Sequence, residues 1–512
     1  MRPVGPPTVL LRDLRPLTQL TGEPFDMLVI GGGITGCGVA RDAAMRGLHV
    51  ALVERDDFAS GTSGRSSRLI HGGIRYLENA QFHLVHESIR ERQTLLRIAP
   101  HLVTPLGFTW PIYRGARVGK LKLSAGLFLY DLMAARRSRR HSGLNSQATL
   151  EREPELRAAG LTGGAVYYDA ATDDARLTLA NALAARQHGA VVRNHARVAS
   201  LVRDGNAGMR AIVESGTTTE ELRARVVVNA TGIWDNNFSS DERAKRLRGS
   251  KGVHIAVRRD RIGNREALTL ISPIDGRVMF CLPAGKHAII GTTDTWTTES
   301  PEDVRAAEAD VDYLIRSIND YFPRAALTLH DVVSAWAGIR PLASGAAARP
   351  GRISREHTIV TDDSGVINVT GGKLTTYRSM AAEIVDTAQR ALGQKPNAAP
   401  TDAVALPGAE RDADVSKLGE DDARLAERLH PDLPYTAGAL VYAVRNEMAT
   451  TLSDLLIRRT HLAFETRDHG RAVSTRAAEI VAPLLGWNED VKRAQLRAYV
   501  HDVERMFTIT SR

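Results

Sequence analysis

Three glycines and one acid carry the first chemistry in this sequence. Gly31, Gly33 and Gly36 form a GxGxxG run, and Glu54 follows 18 positions after the last of them. Each suits a dinucleotide. Gly31 permits a tight turn, Gly33 lets backbone approach a pyrophosphate, and Gly36 lets a helix pack closely on a strand. The start of that helix offers free N–H groups and a positive dipole end to phosphate. Glu54 is suited to accept hydrogen bonds from a ribose diol. These roles need a frame. FDMLVI, Phe25–Ile30, predicts a buried strand. Residues 35–46 predict a helix with Ala40, Ala43 and Ala44 as its small face, and residues 48–53 predict a second strand. In that full context the glycine run points to a bound dinucleotide.

Two later segments choose which one. Residues 225–232, RVVVNATG, read as a buried strand running into a turn that brings Thr231 and Gly232 to the cofactor. Residues 365–373, GVINVTGGK, read as another strand whose Gly pair opens a helix over 374–391. Such a helix start, through Gly372, Leu374 and Thr375, places N–H groups near a second anionic point such as a flavin pyrimidine carbonyl. A dinucleotide fold interrupted by long insertions and resumed near residue 365 argues for FAD over NAD. Ser66 and Ser67 follow the second strand in a Gly/Ser loop, where their hydroxyls suit the pyrophosphate or ribityl chain.

Composition excludes several classes. The chain has 512 residues, 43% hydrophobic and 25% charged, which is a globular balance for two or three domains. Cys37 and Cys281 are the two cysteines, with no CxxC, so an iron–sulfur cluster, a thiol pair or a Cys-rich zinc site is not expected. No metal is expected. Residues 1–22 read as a flexible N-terminus without an uninterrupted signal-peptide core.

Four further motifs carry a resemblance. Residues 68–78 (RLIHGGIRYLE), 291–294 (GTTD), 338–342 (GIRPL) and 371–378 (GGKLTTYR) together resemble the FAD-dependent (aerobic, respiratory) glycerol-3-phosphate dehydrogenases. Residues 442–460 look like that family's helical C-terminal domain. The resemblance spans about residues 24 to 510 of the sequence. It implies an α/β fold with a Rossmann-like FAD-binding domain in segments 23–80, 150–235 and 335–395. A substrate domain with an antiparallel sheet, as in the glycine oxidase and D-amino-acid oxidase group, fills 81–149 and 236–334. An all-helical C-terminal domain takes 401–512. The implied reaction oxidises sn-glycerol 3-phosphate to dihydroxyacetone phosphate. Hydride passes from C2 to FAD N5, and electrons pass on to a quinone. Another FAD oxidase or dehydrogenase of the same fold, acting on an amino or hydroxy acid, is the alternative.

That substrate sets three tasks: clamp a phosphate, seat C2 and remove a hydroxyl proton. Arg binds phosphate with a planar fork and Lys with a mobile point charge. By resemblance, Arg75, Arg340, Arg355 and Lys373 contact the substrate. Lys373 also stands out unaided, because nine Lys stand against 58 Arg and this one sits between a Gly pair and a helix start. Proton removal calls for a base, for which His71 and His254 are the candidates, with an Arg340-assisted route beside them. Tyr76 binds substrate or shapes the pocket. Asp294, in GTTD, and Thr375 are expected near the cofactor or the substrate.

The net charge is +8, and much of it has one address. Residues 111–142 hold eight basic residues against Asp131 alone, a local +7. Leu123, Leu127 and Tyr130 recur there at helical spacing. An apolar stripe between cations suits an interfacial helix on acidic lipid. The expected location is therefore cytoplasmic and peripheral, on the inner face of the membrane that holds the quinone. No apolar run approaches the roughly 20 residues of a membrane span. No aromatic-interleaved basic motif points to nucleic acid. Residues 401–512 net −3 and read as helices that cap the substrate domain or support a homodimer.

Overall fold

The computed structural model describes residues 23–79, 81–134, 139–205, 208–234, 238, 248–342 and 357–511. FDMLVI forms the strand Phe25–Ile30, buried at five of its six positions. A strand apolar on both faces belongs in the middle of a covered parallel sheet, and this one does. It lies between Val50–Val53 and Thr218–Asn229, parallel to both. Ile367–Gly371 and Val191–Arg193 extend the parallel set on either side. An antiparallel ribbon, Arg197–Arg203 with Met209–Ser215, continues from Thr218–Asn229.

Helix Ile34–Met45 packs on this sheet through Val39, Ala40 and Ala43, all fully buried. Its small residues admit helix Tyr377–Ala391 at close range. A Cβ on Gly38 would lie 2.9 Å from the Tyr377 ring. That second helix starts at Tyr377, three residues later than its sequence suggests. Thr376 N–H instead donates to the Lys373 carbonyl at 3.2 Å, forming a turn before the helix.

The second sheet has ten strands and is mostly antiparallel. Val332–Leu342 pairs along Arg248–Arg258, and Leu161–Thr172 pairs along Val103–Tyr113. Both Leu161–Thr172 and Val332–Leu342 fall largely in segments assigned to the cofactor domain by sequence. Their apolar runs suit either sheet, and only pairing decides between them.

Helices Arg411–Asp421, Ala437–Asn446, Arg471–Leu485 and Glu489–Phe507 make up most of the C-terminal region, joined by a π-helical turn, Asp454–Arg459. Its core is continuous with the second sheet. Leu440, Leu456 and Phe464 belong to one buried cluster with Phe108, Tyr167 and Trp336. The Phe464 ring meets Trp336 edge-on at 5.1 Å.

Helix Lys120–Met133 corrects one expectation. Leu123, Leu127 and Tyr130 face inward and are 3%, 0% and 2% exposed. The outward stripe is Leu121, Phe128 and Leu132, at 89%, 65% and 66%. Lys120 and Lys122 flank it at one end, and Arg139 and Arg140 are exposed beyond the other. Arg136 and Arg137 lie outside the described residues. No helix among the described residues is long and apolar enough to cross a membrane.

A continuous core predicts one cooperative unit. Leu440→Ala is expected to lower unfolding stability by about 2–5 kcal/mol. Urea transitions followed by far-UV circular dichroism and by Trp fluorescence are expected to coincide in both proteins. A separate early transition in the variant would show that the helices fold on their own.

Candidate active site

The carboxyl ends of the parallel strands open into one cavity of about 940 Å³. Its first half is built on the glycine turn. Gly31 adopts φ +109°, and a Cβ there would lie 2.6 Å from the Ala230 carbonyl oxygen. A Cβ on Gly36 would lie 1.9 Å from the Gly31 carbonyl oxygen, so strand and helix touch backbone to backbone. At Gly33 a Cβ would meet only the Ser63 hydroxyl, at 3.2 Å, which leaves the backbone open to a ligand. Ile34 N–H, at the helix start, donates to Ser63 Oγ at 2.9 Å. Ser63 lies in the same Gly/Ser loop as Ser66 and Ser67 and lines the cavity.

Glu54 also lines the cavity. Its carboxylate accepts from Gly32 N–H at 2.6 Å and Asp56 N–H at 2.8 Å. Burial raises its pKa despite these bonds. Thr231 and Gly232 line the opposite wall, and Gly232 has φ +68°. Thr231 Oγ1 donates to Asn229 Oδ1 at 2.7 Å. Gly372, Leu374 and Thr375 line the cavity from the late turn. Thr375 Oγ1 accepts from His71 N–H at 3.2 Å, tying that turn to the HGG loop.

The second half collects charge. The Arg340 guanidinium lies 3.4 Å from Asp294 and donates to Thr292 Oγ1 at 3.0 Å. Asp294 also accepts from Ser250. Asp294 therefore faces Arg340 within the same cavity. Lys373 Nζ sits 4.0 Å from the centre of the Tyr76 ring, and 3.4 Å from Ser88 Oγ. An ammonium over an aromatic face is attracted by the ring quadrupole. Arg340, Lys373, Tyr76, His71 and His254 all line the one cavity. Arg355 and the Arg75 side chain lie outside what the structure describes. Arg117 and Arg277 line it too. Arg117 lay within the basic segment, but nothing in sequence singled out Arg277.

His254 is 2% exposed. Its Nε2 pairs with Ser67 Oγ at 2.8 Å, and its ring stacks on Trp336 at 5.5 Å. Burial first, then the charges of Arg340 and Arg68, lower its pKa to about 3. The ring is neutral at ordinary pH and is a weak proton acceptor. Ser66 and Ser67 line the same cavity, and Ser66 Oγ donates to Asp174 at 2.7 Å.

Comparison with known proteins agrees with this geometry. A family model described as FAD dependent oxidoreductase matches residues 26–378, and one described as the C-terminal domain of alpha-glycerophosphate oxidase matches 400–492. A glycerol-3-phosphate dehydrogenase of Mycobacterium leprae is 39% identical, covering 92% of this chain and 87% of its own. The chain belongs to the FAD-dependent glycerol-3-phosphate dehydrogenase family. The solved glycerol-3-phosphate dehydrogenase of Bacillus halodurans, complexed with FAD, superposes with a TM-score of 0.76 at 30% identity over 96% of each chain. A glycine oxidase of Geobacillus kaustophilus shares the fold, with a TM-score of 0.55 at 19% identity, covering 75% of this chain and 98% of its own. The expected α/β architecture with a helical C-terminal region is therefore present. The residues here suit the family's FAD: a backbone-open glycine turn, a helix start with the Ser63 hydroxyl beside it and a buried acid share one cavity.

A pKa near 3 sets a sign for His254. Between that value and the usual His value of about 6.5, the unfolded chain binds a proton that the native site refuses. Its contribution to stability therefore falls as pH drops below about 6.5. Imidazole ¹⁵N shifts of labelled protein are expected to keep His254 neutral from about pH 9 to pH 5. A titration inside that window would contradict the burial argument.

Proposed function

We propose that this chain oxidises sn-glycerol 3-phosphate to dihydroxyacetone phosphate with FAD as its resident cofactor. One observation carries the reading: the dinucleotide cradle and the cations Arg340 and Lys373 open into the same cavity. When bound, the flavin supplies a hydride acceptor at N5 and hands electrons to a quinone.

The protein's own residues perform the rest. Gly33 and the Ser63 hydroxyl beside the helix start receive the pyrophosphate, Gly31 and Gly36 shape the turn that brings them there, and Glu54 receives a ribose. Thr231, Gly232, Gly372, Leu374 and Thr375 line the flavin end. Arg340 and Lys373 clamp the substrate phosphate, with Arg75 and Arg355 as further contacts by resemblance. Tyr76 fixes the Lys373 ammonium under its ring. His71 takes the C2 hydroxyl proton. The buried, neutral His254 holds Ser67 and shapes the wall instead. An amino acid carries no phosphate dianion, so two cations in the pocket favour the phosphate ester over the amino- or hydroxy-acid alternative.

The lipid surface is met through Leu121, Phe128 and Leu132. An exposed apolar stripe flanked by Lys120, Lys122, Arg139 and Arg140 suits an anionic membrane. Docking there brings the enzyme to a lipid-soluble quinone.

Lys373→Ala is expected to retain FAD and raise KM for glycerol 3-phosphate at least about tenfold, the loss of one charge-assisted contact. His71→Gln is expected to lower kcat by about a hundredfold, with a much smaller effect from His254→Gln. Assays with a dye acceptor check both. Equal turnover of glycerol and glycerol 3-phosphate would defeat the phosphate reading. The triple change of Leu121, Phe128 and Leu132 to Ser is expected to abolish flotation with phosphatidylserine vesicles while turnover with a soluble dye is kept.

A further inference from the structure

Asp57 lies three residues beyond Glu54 and is fully buried. A buried carboxylate persists only with charge and hydrogen bonds to match. Arg459 supplies two bonds, Nη1 at 2.7 Å and Nη2 at 2.9 Å, and Arg458 Nε supplies a third at 2.6 Å. Asn194 Nδ2 donates a fourth at 2.9 Å. Both arginines come from the π-helical turn Asp454–Arg459, about 400 residues away in the chain. Such turns are rare and often mark functional places.

The same turn grips a second loop. Asp454 is fully buried. It accepts from Arg458 at 2.8 Å and pairs with His195 Nε2 at 3.0 Å. Burial alone would lower the His195 pKa, but the Asp454 charge and hydrogen bond outweigh it and raise the pKa to about 9. His195 has φ +51°, a left-handed backbone that a non-glycine residue keeps only when its surroundings hold it.

What lies in front of these contacts gives them a role. Glu54, Arg55, Asp56 and Ala196–Ala199 line one end of the cavity. Three backbone bonds lace those walls together. Glu54 N–H donates to Arg193 at 2.9 Å, Ala196 N–H to Glu54 at 2.7 Å, and His195 N–H to Asp56 at 2.6 Å. Asp57 and His195 each sit one residue behind the wall. Asp57, His195 and Asp454 also place ligand-type atoms within 4.8 Å of one another, but the guanidiniums already bonded to these carboxylates oppose a metal cation there.

We propose that the Asp454–Arg459 turn positions the two loops that receive the adenosine end of FAD, acting through Asp57 and His195. This rests on the reading that the Glu54 end of the cavity takes the ribose. None of the five gripping residues, Asp57, His195, Asp454, Arg458 and Arg459, lines the cavity, so they are positioning residues. The C-terminal helices thereby set cofactor retention rather than substrate choice.

Full-length protein stripped of FAD provides the test. Two mild variants are compared with the parent. His195→Asn keeps a residue tolerant of left-handed backbone, and Arg459→Lys keeps the charge but loses the fork. Flavin fluorescence measures FAD binding, calorimetry measures ADP as a probe of the adenosine half, and circular dichroism confirms the fold. Kd for FAD and Kd for ADP are expected to rise together, by about tenfold. KM for glycerol 3-phosphate at saturating FAD is expected to stay within about twofold. Variants that bind FAD and ADP like the parent overturn the inference alone. So does a joint loss of FAD affinity and substrate affinity, which marks general loosening. A parent that binds neither FAD nor ADP overturns the functional reading and this inference with it.

Discussion

Backbone touching backbone at Gly36 governs this molecule. The Gly31 carbonyl stands where a Cβ on Gly36 would be, 1.9 Å from it, so the first helix must leave the first strand at one angle. That angle aims the start of the helix at the space beyond the strand ends. In open parallel sheets, that space is where ligands bind. The loops after Val53, Asn229 and Gly371 all reach it, because their strands run parallel to Phe25–Ile30 or to its neighbours. The cavity is thus a consequence of the sheet's direction and of one close contact.

Around that contact, the long-range joints are made by buried charge pairs. Arg378 grips Glu91 at 2.5 and 2.7 Å, and Arg176 grips Glu447 at 2.6 and 2.7 Å. Arg92 is bonded to Asp169 and Tyr130. Such pairs add little net stability over apolar substitutes, but losing one partner costs about 3–5 kcal/mol. Their effect is to permit one docking of helices on sheets and penalise others. Apolar packing, such as Phe464 on Trp336, supplies the attraction that brings these parts together.

The two halves of the cavity differ for electrostatic reasons. The glycine end sets backbone N–H donors, fit for a pyrophosphate shared among many dipoles, beside the charges of Glu54, Arg55 and Asp56. The far end gathers Arg340 and Lys373. Those charges also act on their neighbours: with burial, Arg340 and Arg68 hold His254 neutral. His71 lines the same cavity and, unlike His254, is only partly buried.

Local features were legible in the sequence. A glycine spacing encodes a turn, an apolar run encodes a buried strand, and GGKLTTYR and HGGIRYLE carry the family, because each works through neighbours a few residues away. The parallel sheet and the helical C-terminal region followed from these. Other features needed the tertiary structure. The Lys120–Met133 sequence has apolar residues on two faces, and periodicity cannot say which face meets the core, so the outward stripe became Leu121, Phe128 and Leu132. The sheet membership of Leu161–Thr172 and Val332–Leu342 depended on pairing partners, which an apolar run does not name. The grip of Arg459 on Asp57 joins residues about 400 positions apart. No local pattern records it, since a charge finds its counter-ion only after the chain has folded the two into one interior.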